Sequence, residues 1–223
     1  MKKIFLVINL SFLICNFSLA APNIFGPTGL LTMPNADVID AHDYNGSLGI
    51  ASWQGYGALN ASLNGSPVNN LELGMSKFFS PQETPLDLNI KYKLWNYSNG
   101  TPLSIALGGT VGFASQSYVK AYLTSTYPSF SKNTPLLPSA AISIDNMGNT
   151  TNFHFLVGTE WILLNNFRLL PEIDLAKNPS FNIGGRVALN KMMRLDFYAL
   201  LNNNSSYGVQ LSFNSNPKIL WLF

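Results

Sequence analysis

His42 and His154 are the only imidazoles in the chain, so acid–base or metal chemistry would have to start from them. His42 stands in "DAHDY", where Asp40 and Asp43 flank it closely enough for a proton relay or a metal ligand set. The same five residues suit a solvated polar turn ahead of an extended segment. His154 stands in "NFHFLV", on the polar side of an alternating stretch, where a satisfied polar contact is the simpler role. No Walker loop, no HExxH and no paired Cys/His set occurs, so nucleotide and zinc roles have no support. The expectation is no catalytic residue, no cofactor and no metal site. What remains is a series of charged side chains spaced two apart, and that spacing has meaning only on the strands that carry it.

Beyond residue 43 no window has a period of 3.6, whereas period-2 alternation recurs between clusters of Gly, Pro, Asn and Ser. In "FHFLVGTEWILL", Phe153, Phe155, Val157 and Trp161 oppose His154, Gly158 and Glu160. In "FRLLPEIDL", Phe167, Leu169, Ile173 and Leu175 oppose Arg168, Glu172 and Asp174. "FNIGGRVALN" sets Phe181, Ile183 and Val187 against Asn182 and Arg186, and "MRLDFYAL" sets Met193, Leu195 and Phe197 against Arg194 and Asp196. "LDLNIKYKL" places Asp87, Asn89, Lys91 and Lys93 together on one side. The stretches run over 44–53, 57–63, 69–79, 86–97, 102–113, 118–126, 138–147, 151–163, 167–174, 181–189, 193–201 and 207–213, about twelve in all, with ten as the alternative. Most have the roughly 9 to 11 residues that a tilted strand needs to cross a bilayer. Short links such as "LNN" (164–166) and "NKM" (190–192) predict antiparallel hairpins in an up-and-down meander. The least regular part is 118–147, where "YPSFSKNTPLLPS" is long and rich in proline.

Alternation does not say which face is wet. A soluble sandwich and a lipid-facing barrel share the pattern, and composition separates them. Charged residues make up only 11% of the chain, against about 25% in an average soluble domain. Aromatics gather near expected strand ends, among them Trp53, Phe78, Phe79, Trp95, Phe153, Trp161 and Tyr207, as in the girdles of outer-membrane barrels. The opening "MKKIFLVINLSFLICNFSLAAPN" has a cationic start, an apolar run and a small-residue site at Ala20, the pattern of a secretory signal peptide over residues 1–20. The one cysteine, Cys15, falls inside it, so no disulfide is expected. Without Lys2 and Lys3 the basic and acidic residues are equal in number, which leaves no nucleic-acid footprint.

The C-terminal "SYGVQLSF" has Gly208, Leu211 and Phe213 at the spacing of the terminal signal read by the barrel assembly machinery, and the chain itself ends in Phe223. Either Phe213 closes the last strand and 214–223 is a tail, or the tail contributes to that strand. These features predict an all-β, antiparallel, up-and-down transmembrane barrel over 44–213, in the outer membrane of a Gram-negative-type envelope. In hydrocarbon every backbone group has to be satisfied internally, so the meander must close. Its lumen would carry Glu72, Asp87, Lys91, Lys93, Glu160, Arg168, Glu172, Asp174, Arg186, Arg194 and Asp196. Mixed signs along one wall suit either a selective pore or a network of ion pairs that satisfies buried charge. With a periplasmic N-terminus, the links at "NGSPVNN" (64–70), "LNN" and "NKM" face the periplasm.

Between leader and barrel, residues 21–43 contain "FGPTGLLTMPNA" at 25–36. Gly26, Pro27 and Gly29 suit a tight turn, and Pro34 ends an extended run. Leu30, Leu31 and Met33 are poorly placed in water, so the segment is expected to fold against the barrel mouth or into the lumen as a plug. The stretch "GPTGLLTMPNADVIDAHDYNGSLGI" resembles the start of the YjbH-like barrel domain, through Gly26, Thr28, Gly29, Leu30, Pro34, Ala36, Gly46 and Gly49. The likeness continues weakly through "NNLELGMSKFF", "LDLNIKYKLW" and "FLVGTEWILLNNFRLLPEID", and "DAHDYNG" replaces the family's acidic-Gly turn. The resemblance implies a short, single-barrel relative, non-enzymatic and associated with exopolysaccharide production or export. Its partners would be outer-membrane lipid, the barrel assembly machinery and polysaccharide or secretion components. The alternatives are a small passive porin and a lipid-modifying outer-membrane enzyme, although neither histidine lies in the motifs of the known barrel phospholipases or proteases.

Overall fold

The computed structural model describes residues 22–53, 56–81, 84–96, 103–115, 117–127, 129–131, 134–201 and 205–215. Residues 1–21, which include the expected leader over 1–20, and 216–223, with Phe223, lie outside them. The strands are β1 (Tyr44–Trp53), β2 (Tyr56–Val68), β3 (Leu71–Phe79), β4 (Leu86–Trp95), β5 (Ser104–Phe113), β6 (Tyr118–Thr126), β7 (Ser129–Ser131), β8 (Thr134–Met147), β9 (Thr150–Leu164), β10 (Phe167–Asp174), β11 (Ser180–Ala188), β12 (Met193–Leu201) and β13 (Ser206–Asn214). All pairings are antiparallel. Consecutive strands are neighbours except at two seams, where β1 pairs with β13 and β6 pairs with β8. Those seams close twelve strands into a barrel, and β7 is only a three-residue hairpin arm on β8.

Strand β4 displays the polarity of the whole wall. Leu86, Leu88, Ile90 and Tyr92 are exposed, while Asp87, Asn89, Lys91 and Lys93 are buried. The same inversion recurs around the barrel: Leu48 is 67% exposed and Phe153 70%, whereas Arg186 is 2% and Glu172 1% exposed. A water-soluble fold does not leave a continuous belt of leucine, isoleucine and phenylalanine outside while it buries arginine. The outward face is built for hydrocarbon. Where β1 begins, β13 ends at Asn214, so "SYGVQLSF" is the closing strand, registered by Gly46↔Phe213 and Ala51↔Gly208.

Three expectations are corrected. The link "NGSPVNN" is not a seven-residue turn: β2 continues to Val68, and only Asn69 and Asn70 turn, with Asn70 at φ 67°. The ladder slips between Gly65 and Val68, which lets Pro67 sit in the strand without donating an N–H. The expected strand at 138–147 begins instead at Thr134, because Leu136, Leu137 and Pro138 pair with Trp161, Glu160 and Thr159 of β9. Pro138 lies just beyond the end of the β6 ladder at Thr126↔Ser139, where a missing N–H disrupts no pairing with β6. Phe78, read as a girdle residue, points inward and packs on Phe25 with ring centroids 5.8 Å apart.

A closed, fully paired sheet resists detergent until it is heated. Outer-membrane extract run on a gel should therefore give a band whose mobility changes on boiling; identical mobility with and without heating would contradict closure.

Candidate functional site

Because the inward residues alternate with lipid-facing ones, register decides which lumen charges meet. Arg186 on β11 lies opposite Arg168 on β10 and Asp196 on β12. Its Nε and Nη2 donate to the two Asp196 oxygens at 3.0 and 3.1 Å, and its Nη1 donates to Glu160 at 2.6 Å. Arg168 donates to the other Glu160 oxygen. Glu160, Arg168, Arg186 and Asp196 thus form one buried network, with Arg194 beside it on β12. Across the lumen, Lys91 on β4 faces Glu72 on β3, with 3.5 Å between Nζ and Oε2. Glu72 and Glu172 are turned toward residues 22–39.

These N-terminal residues are buried: Leu30 and Leu31 are each 1% exposed and Met33 0%. Two short bridges, Pro22↔Thr28 and Gly29↔Pro34, fold the segment on itself, with Gly26 at φ 111° in the first turn. No regular ladder satisfies the rest of its backbone, and lumen side chains do so instead. Glu172 accepts the N–H groups of Leu31, Thr32 and Met33 and the Thr32 hydroxyl. Glu72 accepts the Thr28 N–H at 2.9 Å and, more distantly, the Ile39 N–H at 3.4 Å. Carbonyls are met in turn: Asn64 donates to Gly26, Ser76 to Phe25, Lys91 to Thr28 and Thr124 to Pro34. The Ala36 N–H reaches the Thr126 hydroxyl at 3.0 Å.

The apolar side chains of the segment need room in the wall, and glycine provides it. A Cβ on Gly158 would lie 2.6 Å from Leu30 Cδ1, and one on Gly184 2.6 Å from Leu31 Cδ2. Ile24, Leu30, Leu31 and Met33 join inward Leu156, Leu170, Tyr198 and Leu200 in an apolar layer inside the barrel. Sequence reading missed this role for Gly158 and Gly184. A polar-face glycine opposite an apolar run elsewhere in the chain was the available signal.

The histidines do not meet each other. His42, at φ 68°, belongs to the turn before β1, where its N–H donates to Ser66 O at 2.7 Å. His154 lies near the opposite rim between Asp174, 2.8 Å from Nδ1, and Asp145, 3.4 Å from Nε2. Asp87 lies beside Tyr118 and Lys120 in that same part of the lumen. Lys120 and Asp145 were not among the expected site residues, because 118–147 looked least regular. Both imidazole nitrogens of His154 face carboxylates, which suits a clamp between β8, β9 and β10 better than a base. Lys93 lines a polar cavity of about 360 Å³ with Ile39, Asp40, Asn69 and Asn70. Among the described residues no group of His, Cys, Asp and Glu could hold a metal ion.

No family model matches the sequence, and no curated protein matches it. Solved structures do share the fold. A KdgM porin in complex with disordered oligogalacturonate superposes with a TM-score of 0.64 at 10% identity, over 77% of this chain and 98% of that one. A NanC porin gives 0.61 at 10% identity, over 76% and 98%. The COG4313 outer-membrane channel of Pseudomonas putida F1 gives 0.53 at 8% identity, over 79% and 97%. At such identities the likeness is one of architecture: this chain has the fold of outer-membrane barrel porins.

The carboxylate of Glu172 accepts the N–H groups of three successive residues, Leu31, Thr32 and Met33, so removing it should loosen residues 24–36. Glu172→Ala is expected to destabilise the folded state by about 3 kcal/mol and speed proteolytic trimming of that segment, with Glu172→Gln intermediate. Urea midpoints and limited proteolysis in detergent read both effects; unchanged protection in Glu172→Ala would refute the role.

Proposed function

We propose that this chain is a non-enzymatic outer-membrane barrel of the cell envelope whose lumen is closed by its own residues 22–41. The observation that carries the reading is the convergence of side chains from β2, β3, β4, β6, β10 and β11 on the backbone between Phe25 and Ala36. A loose tail would not recruit two buried carboxylates from opposite walls, since each such carboxylate is costly to bury without donors. Supporting it, the two histidines lie at opposite ends of the barrel, and His154 bridges Asp145 and Asp174 of neighbouring strands as a clamp would.

Outer-membrane lipid and the barrel assembly machinery are the partners that such a belt and the closing strand with Gly208, Leu211 and Phe213 call for. The likeness of Gly26, Thr28, Gly29, Leu30, Pro34 and Ala36 to the YjbH-like start supports exopolysaccharide export as the process served. In that role the segment acts as a gate: the strands stay fixed, and release of 22–41 opens the path. A second reading, a small passive porin, is favoured by the porin architecture of the neighbouring structures and differs in one respect, that the resting barrel conducts.

Planar-bilayer recording of the refolded mature chain separates the two. The gated reading expects no steady channels from the intact chain and steady channels after deletion of residues 22–36. Steady conductance from the intact chain would overturn the gate in favour of the porin, and a silent deletion variant that still shows heat-modifiable mobility would refute both.

A further inference from the structure

The network of Glu160, Arg168, Arg186 and Asp196 leaves one cation over. Both Glu160 oxygens are taken, one by Arg168 and one by Arg186, and both Asp196 oxygens are taken by Arg186. Arg194, on the next inward position of β12, is 4% exposed, and its Nε and Nη2 have no hydrogen-bond partner among the described residues. Asp196 and Glu160 lie near enough to offset part of its charge, but neither accepts from its Nε or Nη2, and guanidinium neither loses its proton in proteins nor leaves a buried N–H unmet without cost. Such a group calls for an anion.

The surroundings say which kind. Ser212 lies directly across from Arg194 on β13, and its hydroxyl oxygen accepts from Gln210 Nε2 at 3.3 Å, which leaves the O–H free to donate. Two residues on, facing the same way, is Asn214, 1% exposed, whose amide nitrogen and oxygen are both without a partner. A diagonal pair of this kind lies within reach of a long side chain. Register therefore sets guanidinium, hydroxyl and amide on one inward face at the end of β12 and β13, at the rim where β1 begins. That combination matches the planar or tetrahedral oxygens of an oxyanion, which a guanidinium fork binds through paired N–H···O contacts.

We propose that Arg194, with Ser212 and Asn214, forms a binding site for a single oxyanion group, carboxylate or phosphate, entering from the rim at which the N-terminal segment lies. The site is separate from the gate: its three side chains make none of the hydrogen bonds that hold residues 22–41. It gives the barrel a fixed point of attraction for an acidic solute, and bound anion completes the charge balance of the arginine cluster.

The test is thermal unfolding of the refolded full-length mature chain in nonionic detergent, titrated with sodium phosphate, with sodium acetate and with sodium chloride at matched ionic strength. Specific binding to the folded state raises the midpoint with ligand concentration. The expected result is a rise of several degrees with phosphate or acetate beyond that with chloride; phosphate above acetate identifies the phosphate class, and the reverse the carboxylate class. Arg194→Met, which keeps length and removes charge, should abolish the rise, and Asn214→Ala, which spares the arginine, should cut it at least twofold. No oxyanion-specific rise in the unaltered chain would overturn the site. So would an equal rise in Asn214→Ala and in the unaltered chain, or an undiminished rise in Arg194→Met.

Discussion

When the outer face of a sheet is leucine, isoleucine and phenylalanine, each backbone N–H and C=O must find its partner in a neighbouring strand, since the medium outside offers none. The seams β1–β13 and β6–β8 meet that demand at the last two open edges. Everything polar follows from closure. Side chains that alternate with the lipid-facing set have nowhere to go but inward, so Arg186, Lys91 and Glu172 become the most enclosed large groups of the molecule rather than its surface. Charge inside such a wall is tolerable only where donors and acceptors are matched, and the bidentate Arg186–Asp196 contact and the shared Glu160 are matches of that kind.

Residues 22–41 extend the same constraint to irregular chain. Backbone without a ladder is tolerated at membrane depth only when protein surrounds it and supplies the missing partners. Glu172 and Glu72 supply acceptors, while Asn64, Ser76, Lys91 and Thr124 supply donors. Lumen charge and segment are therefore reciprocal. Neither carboxylate would be stable facing apolar Leu30 and Leu31 alone, and the segment could not leave water without them. Gly158 and Gly184 complete the arrangement by removing wall volume where those two leucines lie.

Strand faces were legible because a two-residue period is a local property: β4 and β10 can be read from nine residues each. The position of Phe213 in the closing strand was legible for the same reason, since the octet covers β13 up to one residue short of its end at Asn214. What could not be read was anything decided by register between distant strands. That Glu160 serves two arginines, or that Arg194 is left over, depends on a ladder set by Leu137↔Glu160, Arg168↔Arg186 and Arg186↔Asp196, none of which is visible in a single stretch. A proline misled locally. Pro67 read as loop because a proline cannot donate, but it occupies a place where the ladder slips and no donor is needed.

Axial position sorts the lumen charges in a way that alternation alone would not produce. Arg168, Arg186 and Arg194 lie on β10, β11 and β12 toward the rim where β1 starts, with Glu160 and Asp196 among them and with Glu72, Lys91 and Lys93 at the same end of β3 and β4. Asp87, Asp145 and Asp174 lie toward the other rim, opposed by Lys120 and His154. The N-terminal segment runs between the two groups, held by one carboxylate on each wall. With the proposed closure by residues 22–41, an oxyanion reaching the first rim meets the arginine side chains before the carboxylates of the other end. On the proposed reading, attraction at one rim and obstruction behind it are set by the same twelve strands.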